Sequence, residues 1–305
     1  MKDRSREVRV ETSPMLYCVA AVAAMVLLAL PAEALAWGPL THLVHGSQII
    51  QDLSTLPEPL QQLLHAHRLA YLYGCIGADI TQARRYTRNL YSHCHHWAVG
   101  FKLVAAARTD EERAFAYGYL SHLAADVYAH NYYVPVQLIA SFPARTLGHA
   151  YWEVRFDALQ DRRRWHLPKR VLGRAYPDCD SLVEREVELT LFSFRTNKRI
   201  FDSLMALHQY DQWYRMMTRV SARSRYPLPK ALVDEYNERC VTAMADVLTS
   251  ATSAACVAFD PTGHDILARA SRLRRQLRTL RRRGNINERL RKALATISPP
   301  SPDYS

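Results

Sequence analysis

Apolar positions along the chain recur at steps of three and four, and no segment keeps an alternation of two, so the expected fold is all-α. Leu43, Ser47 and the Ile49–Ile50 pair suggest a first helix, and Leu-Pro followed by LQQLLHAHRLAYLY predicts a second over 57–73. Thr109-Asp110-Glu111-Glu112 is a helix-start signal that opens a long central helix, and Pro135 and Pro143 punctuate the chain beyond it. LGHAYWEVRFDALQDRRRW reads as another helix. Residues 180–221 carry Leu182, Val187, Leu189, Leu191 and Phe192 at helical spacing, and their aromatics (Phe194, Phe201, Tyr210, Trp213, Tyr214) read as core. RSRYPLPK breaks the pattern at 223–230, and 231–259 resumes a helix ahead of Asp260-Pro261-Thr262-Gly263. Ile266, Ala270, Leu273, Leu277 and Leu280 then form a stripe with Arg on the other faces.

The start of the chain has a different pattern. Lys2, Arg4, Arg6 and Arg9 precede an apolar run of sixteen residues, Met15–Leu30, which Pro31 breaks before Ala34-Leu35-Ala36. That is the order of a secretory signal peptide over 1–36, and the run falls short of the roughly 20 residues that span a bilayer. Three acids among the early basic residues make Met15 an alternative start. The expected organisation is a leader (1–36), a main helical domain (37–263), basic amphipathic helices (264–296) and a disordered Ser/Pro-rich tail (297–305).

Composition adds the distribution of charge. With 305 residues, 49% of them hydrophobic, the chain can bury a real core, and ten Gly suits a helical protein. The net +11 is concentrated in 264–292, where eleven Arg/Lys face only Asp265 and Glu288. Such a helix suits an anionic membrane surface or an acidic partner; the plain alternative is a helix docked on the body with solvated arginines. Nucleic acid is a further option, without a recognised reading motif. Five cysteines lie beyond the leader (75, 94, 179, 240, 256), none in CxxC spacing, and no bridge is assigned.

Candidate chemistry sits in the central helix. YLSHLAADVYAHNYYVP, 119–135, sets His122, Asp126 and His130 four residues apart, and each step of four turns a helix by only about 40°, so all three are expected on one face. Imidazole and carboxylate in such a row suit zinc, although an ordinary amphipathic helix carries the same short pattern. His149 and Glu153 form a second i, i+4 pair, for which a surface ion pair is the plain alternative. YSHCHHWAVG crowds His93, His95 and His96 around Cys94; His93 is the expected ligand and His96 the reserve. Asp79 emerges from the Gly-flanked GCIGADI, and His42 lies five residues past Trp37. Cleavage after Ala36 would make Trp37 an N-terminus whose free amine and carbonyl can hold a metal.

Taken in order, Trp37, His42, Asp79, His93, His122, Asp126, His130, His149 and Glu153 resemble the zinc-dependent phospholipase C family over about Trp37 to Asp157. More distantly the set is similar to the phospholipase C/D domain of glycosylphosphatidylinositol-specific phospholipase D and to fungal single-strand nucleases. The resemblance implies an exported multi-helix bundle with three zinc ions. One is held by Asp79, His93, His122 and Asp126, one by His130, His149 and Glu153, and one by Trp37 and His42 with Asp126 bridging. It departs from the family in placing His130 four residues after Asp126 rather than six. The implied reaction is phosphodiester hydrolysis, with Asp79 orienting or deprotonating the attacking water and zinc supplying Lewis acidity. Phospholipid is the first substrate expected. A nuclease or nucleotidase using Tyr132, Tyr133, Tyr151 and Trp152 for stacking is the second, and a non-catalytic zinc-braced envelope module the third.

Overall fold

The start signal at Thr109 produces a capping box. Thr109 Oγ1 accepts from Glu112 N at 3.1 Å, while Glu112 Oε2 accepts from Thr109 N at 3.2 Å and Arg108 N at 2.5 Å. The computed structural model describes residues 38–80, 93–144, 147–187, 193–208, 221–281 and 287–297, with Arg215, Thr218 and Arg219. Residues 1–37, Trp37 among them, and the segment beyond Ile297 lie outside them. Among the described residues there are helices and no strands, as the periodicity predicts.

In chain order the α-helices are α1 (Pro39–Gln51), α2 (Glu58–Ala66), α3 (Arg68–Gly74), α4 (Gly77–Ile80), α5 (Trp97–Ala106), α6 (Asp110–Tyr128), α7 (Val134–Ala140), α8 (His149–Asp157), α9 (Leu167–Leu172), α10 (Pro177–Glu186), α11 (Phe194–His208), α12 (Lys230–Ser250), α13 (His264–Arg281) and α14 (Asn287–Ile297). The helix predicted over 57–73 is two, divided at His67.

Helix α6 is the axis. Helices α3, α5 and α12 pack along it, and α1 and α4 also meet it, bringing His42 and Asp79 toward Asp126 and His122. Every residue from Gly118 to Tyr128 is buried, so α6 has no solvent face there and its polar side chains must find partners inside. The α3 crossing is close because two glycines meet in it. A Cβ on Gly118 would lie 2.0 Å from Tyr71 O, and one on Gly74 would lie 2.0 Å from Phe115 O.

The central helix does not run straight through His130. After Tyr128 the chain takes one π-helical turn, Ala129–Tyr133, closed by Val134 N–H donating to Ala129 O. Pro135 accounts for it: proline has no N–H for Asn131 O, and its ring would clash with that carbonyl in a regular α-helix. The wider turn admits the ring, and α7 resumes beyond. His122 and Asp126 thus fall in one group of converging side chains, and His130, at the start of the π turn, falls in a second.

The basic C-terminal helix uses its apolar stripe internally. Ala270 and Leu277 of α13 and Ala293 and Ile297 of α14 form a second small core with Ile139 and Phe142 at the end of α7. Ile297 thus closes α14 within that core, where the sequence suggests the start of the tail. Arg274 donates to Ala144 O at 2.7 Å, and Arg278 donates to Phe142 O at 2.7 Å and Ala144 O at 2.8 Å, satisfying carbonyls just past α7. No helix among the described residues is long and apolar enough to cross a membrane.

Candidate metal centre

Three helices bring the first group together. Helix α1 supplies His42, the short α4 supplies Asp79, and α6 supplies His122 and Asp126; all four residues are at most 1% exposed. Their orientation comes from backbone partners. His122 Nδ1 lies 2.9 Å from Cys75 O, and because a carbonyl only accepts, the hydrogen sits on Nδ1. That leaves the Nε2 lone pair pointing inward, 3.2 Å from Asp126 Oδ2 and 4.0 Å from Asp79 Oδ1. His42 Nε2 stands 3.2 Å from the other oxygen, Asp126 Oδ1, with its ring stacked on that of His122 at 4.0 Å. Asp126 therefore presents one oxygen to each histidine.

The loop histidine that joins this group is His95, not His93 or His96. Its Nε2 lies 3.1 Å from His122 Nε2, 3.3 Å from Asp79 Oδ1 and 3.4 Å from Asp126 Oδ2. Local backbone bonds decide the choice. His93 Nδ1 turns back to accept from His95 N at 3.1 Å, and His96 caps α5 by accepting from Ala98 N at 3.1 Å. Both outer rings serve the turn, and the middle one points inward, with its Nδ1 3.2 Å from Cys94 Sγ. Burial was the missing signal: three adjacent histidines look equivalent until the direction of the chain is known. His93 remains close enough to Cys94 and His95 for those three to form a metal-sized group of their own.

A second group joins His130 of the π turn to His149 and Glu153 of α8. His130 Nε2 is 3.4 Å and His149 Nε2 2.5 Å from Glu153 Oε1, and the two rings meet edge to face at 5.0 Å. Here the i, i+4 pair on α8 is nearly buried rather than a surface ion pair, with Glu153 1% exposed and His149 11%. Trp37, the remaining candidate, lies outside the described residues.

The electrostatics are those of a site short of positive charge. Burial opposes ionisation of Asp126, yet His122 and His130 hold its carboxyl well below the usual range. Burial alone would depress His122, but Asp126 and Asp79 raise it. Burial, with His122 beside it, lowers His42 to about 4, and burial pushes Glu153 up to about 8. Both oxygens of Asp126, both of Glu153, and Nε2 of His42 and His130 are buried without a hydrogen-bond partner. Buried groups of this kind are costly unless a cation is shared among them. The donor atoms of His42, Asp79 and His122, of His95, His122 and Asp126, and of His130, His149 and Glu153 each converge within 4.8 Å. Imidazole nitrogen and carboxylate oxygen at such spacing fit zinc.

Of the aromatic residues considered for base stacking, Tyr151 is half-buried, its O–H donating to Ser224 Oγ at 2.8 Å. Trp152 and Tyr133 are fully buried, Tyr133 O–H donating to Trp152 O at 3.2 Å, and Tyr132 is 8% exposed with its ring stacked on Tyr128.

Compared with known families, residues 41–216 match the model described as zinc dependent phospholipase C. That span holds His42, Asp79, His95, His122, Asp126, His130, His149 and Glu153. No curated protein and no solved structure matches the chain.

Proposed function

The chain belongs to the zinc-dependent phospholipase C family, a family of phosphodiester hydrolases, and from that premise we propose that it is an exported phospholipase C that releases a phosphorylated head group and leaves a diacylglycerol. The observation that carries the reading is Asp126, a fully buried carboxylate with neither oxygen hydrogen-bonded, one of them facing His42 and the other His95 and His122. Asp79, His95, His122 and Asp126 would hold one zinc; His130, His149 and Glu153 a second; His42, Asp126 and the amine and carbonyl of Trp37 a third. Bound there, zinc supplies Lewis acidity toward the phosphoryl oxygens and lowers the pKa of water.

The chain's own groups do the rest. Cys75 O and Pro261 O fix the tautomers of His122 and His130, so that each offers Nε2 to the site. Asp79 Oδ1, beside His95, orients and deprotonates the attacking water. The near-complete burial of the donors keeps bulk water from competing. The leader supports export, and its removal after Ala36 would free the Trp37 amine. Contact with an anionic lipid surface falls to the exposed arginines of α13, since its apolar stripe is already covered.

The test offers phosphatidylcholine, phosphatidylinositol and single-stranded DNA in parallel to protein beginning at Trp37, with and without a chelator. Chelator-sensitive release of phosphorylated head group from a phospholipid is expected. Cleavage of DNA alone would move the chain to the nucleases, and no chelator-sensitive product from any substrate would overturn the enzyme reading.

A further inference from the structure

The residues that hold His130 from outside do not belong to the span matched by the family model. His130 Nδ1 lies 2.6 Å from Pro261 O, so Nδ1 carries the hydrogen and Nε2 is left to face Glu153 and His149. The next residue of the π turn is tied to the same place, Asn131 Nδ2 donating to Asp260 O at 2.8 Å and to Val127 O at 3.1 Å. On the N-terminal side of Asp260, Trp97 Nε1 donates to Phe259 O at 2.8 Å, linking this segment to the start of α5 just after His95 and His96.

The turn is built to stay in that position. Asp260 Oδ1 accepts from Thr262 N at 3.0 Å, and its Oδ2 accepts from Thr262 Oγ1 at 2.5 Å and from His264 N at 3.2 Å. Gly263 has φ +57°, and a Cβ there would lie 2.4 Å from His130 O and 2.6 Å from His130 Cβ. Glycine is needed twice over, for a left-handed backbone and for contact with the histidine.

We infer that the turn Asp260-Pro261-Thr262-Gly263 is the positioning element of the second metal site, fixing the tautomer and orientation of His130 from outside the span matched by the family model. The inference rests on the reading of His130, His149 and Glu153 as a zinc site. His130, four residues after Asp126 and at the start of the π turn, is held there by the turn at 260–263.

The experiment compares the full chain with Gly263→Ala, Asp260→Ala and Asp260→Asn, reading zinc per chain, the rate of zinc transfer to a chromophoric chelator, and the visible spectrum after cobalt loading. Loss of a ligand's outer hydrogen-bond partner typically weakens metal binding by about 10–100-fold. Gly263→Ala is expected to release zinc from one class of site faster by about that factor, with an altered cobalt band and unchanged helicity. Asp260→Ala should shift both readouts in the same direction, and Asp260→Asn, which keeps an acceptor for Thr262 N, should stay near the parent. Where Gly263→Ala does not fold, the exposed Asp260 variants decide. Parent-like release and spectra in Gly263→Ala and Asp260→Ala, with zinc bound in the parent, would overturn the positioning role alone. A parent without zinc would overturn the metal site, and the positioning role with it.

Discussion

Two histidines separated by a single residue, His93 and His95, differ in what their rings do, and the difference is measurable. His93 accepts a backbone hydrogen bond, whereas His95 reaches Asp79, Asp126 and His122. His95→Ala is expected to lose one zinc and at least about 100-fold in activity, while His93→Ala keeps its metal content. Equal zinc loss in both variants would return the ligand role to the whole loop. Asp157 makes a separate prediction. Its Oδ1 accepts from Thr41 N at 2.7 Å and Thr41 Oγ1 at 2.5 Å at the start of α1, while its Oδ2 is buried without a hydrogen bond. Burial, against those hydrogen bonds, raises its pKa from 3.8 to about 7. Between those values the folded chain keeps a proton that the unfolded chain has lost. Stability from this group is therefore greatest below the unfolded pKa and declines as pH rises toward 7, by up to about 1.4 kcal/mol per unit. Asp157→Asn retains an acceptor and removes the titration. Its urea midpoint relative to the parent should move in the variant's favour from pH 4 to 7; a constant difference would exclude the mechanism. Most of the site's residue types were legible because ligand chemistry restricts them to His, Asp and Glu at helical spacing. The selection of His95 and the role of Asp157 were not, since both depend on which way a turn points and on contacts between distant segments.

At the scale of elements, the helix starts were the most readable features. Thr109-Asp110-Glu111-Glu112 signals a capping box because its bonds are local, and the structure forms it. Thr109→Ala should cost about 1 kcal/mol in chemical unfolding without changing zinc content. The π turn was not readable as such: Pro135 marks an interruption, but whether the chain breaks, kinks or widens depends on α7 having somewhere to go. Here it packs against α13 and α14. The α3–α6 crossing is similarly invisible in periodicity, because Gly74 and Gly118 carry no side chain to contribute to it. Gly118→Ala would drive a methyl toward Tyr71 O, 2.0 Å away, and must separate two helices that flank His122. A loss of about 1–3 kcal/mol is expected in thermal or urea unfolding. A neutral result would mean that α3 shifts freely, contrary to its dense packing.

For the molecule as a whole, the question is what the C-terminal charge does once its apolar stripe is accounted for. Ala270 and Leu277 are buried against the end of α7 and α14, so burying that stripe in lipid would require breaking a core. Arg269, Arg272 and Arg275 are exposed on the side of α13 away from it, while Arg274 and Arg278 are occupied by carbonyls after α7. Attraction to an anionic surface would therefore be electrostatic and superficial, at about 1 kcal/mol for each arginine near the membrane. Replacing all three exposed arginines with alanine should weaken binding to phosphatidylglycerol-containing vesicles by roughly 100-fold at low salt, with little change on neutral phosphatidylcholine vesicles. Turnover of a soluble short-chain phospholipid should stay at the parent level, because none of the three belongs to the metal centre. Leu277→Ala supplies the contrast: it should lower the unfolding midpoint through cavity formation and leave the charge-dependent part of vesicle binding intact. Vesicle binding insensitive to the arginines but abolished by Leu277→Ala would mean that α13 leaves its core to enter the membrane. Salt-sensitive binding lost only with the arginines would establish a helix that holds His130's turn on one side and faces lipid on the other.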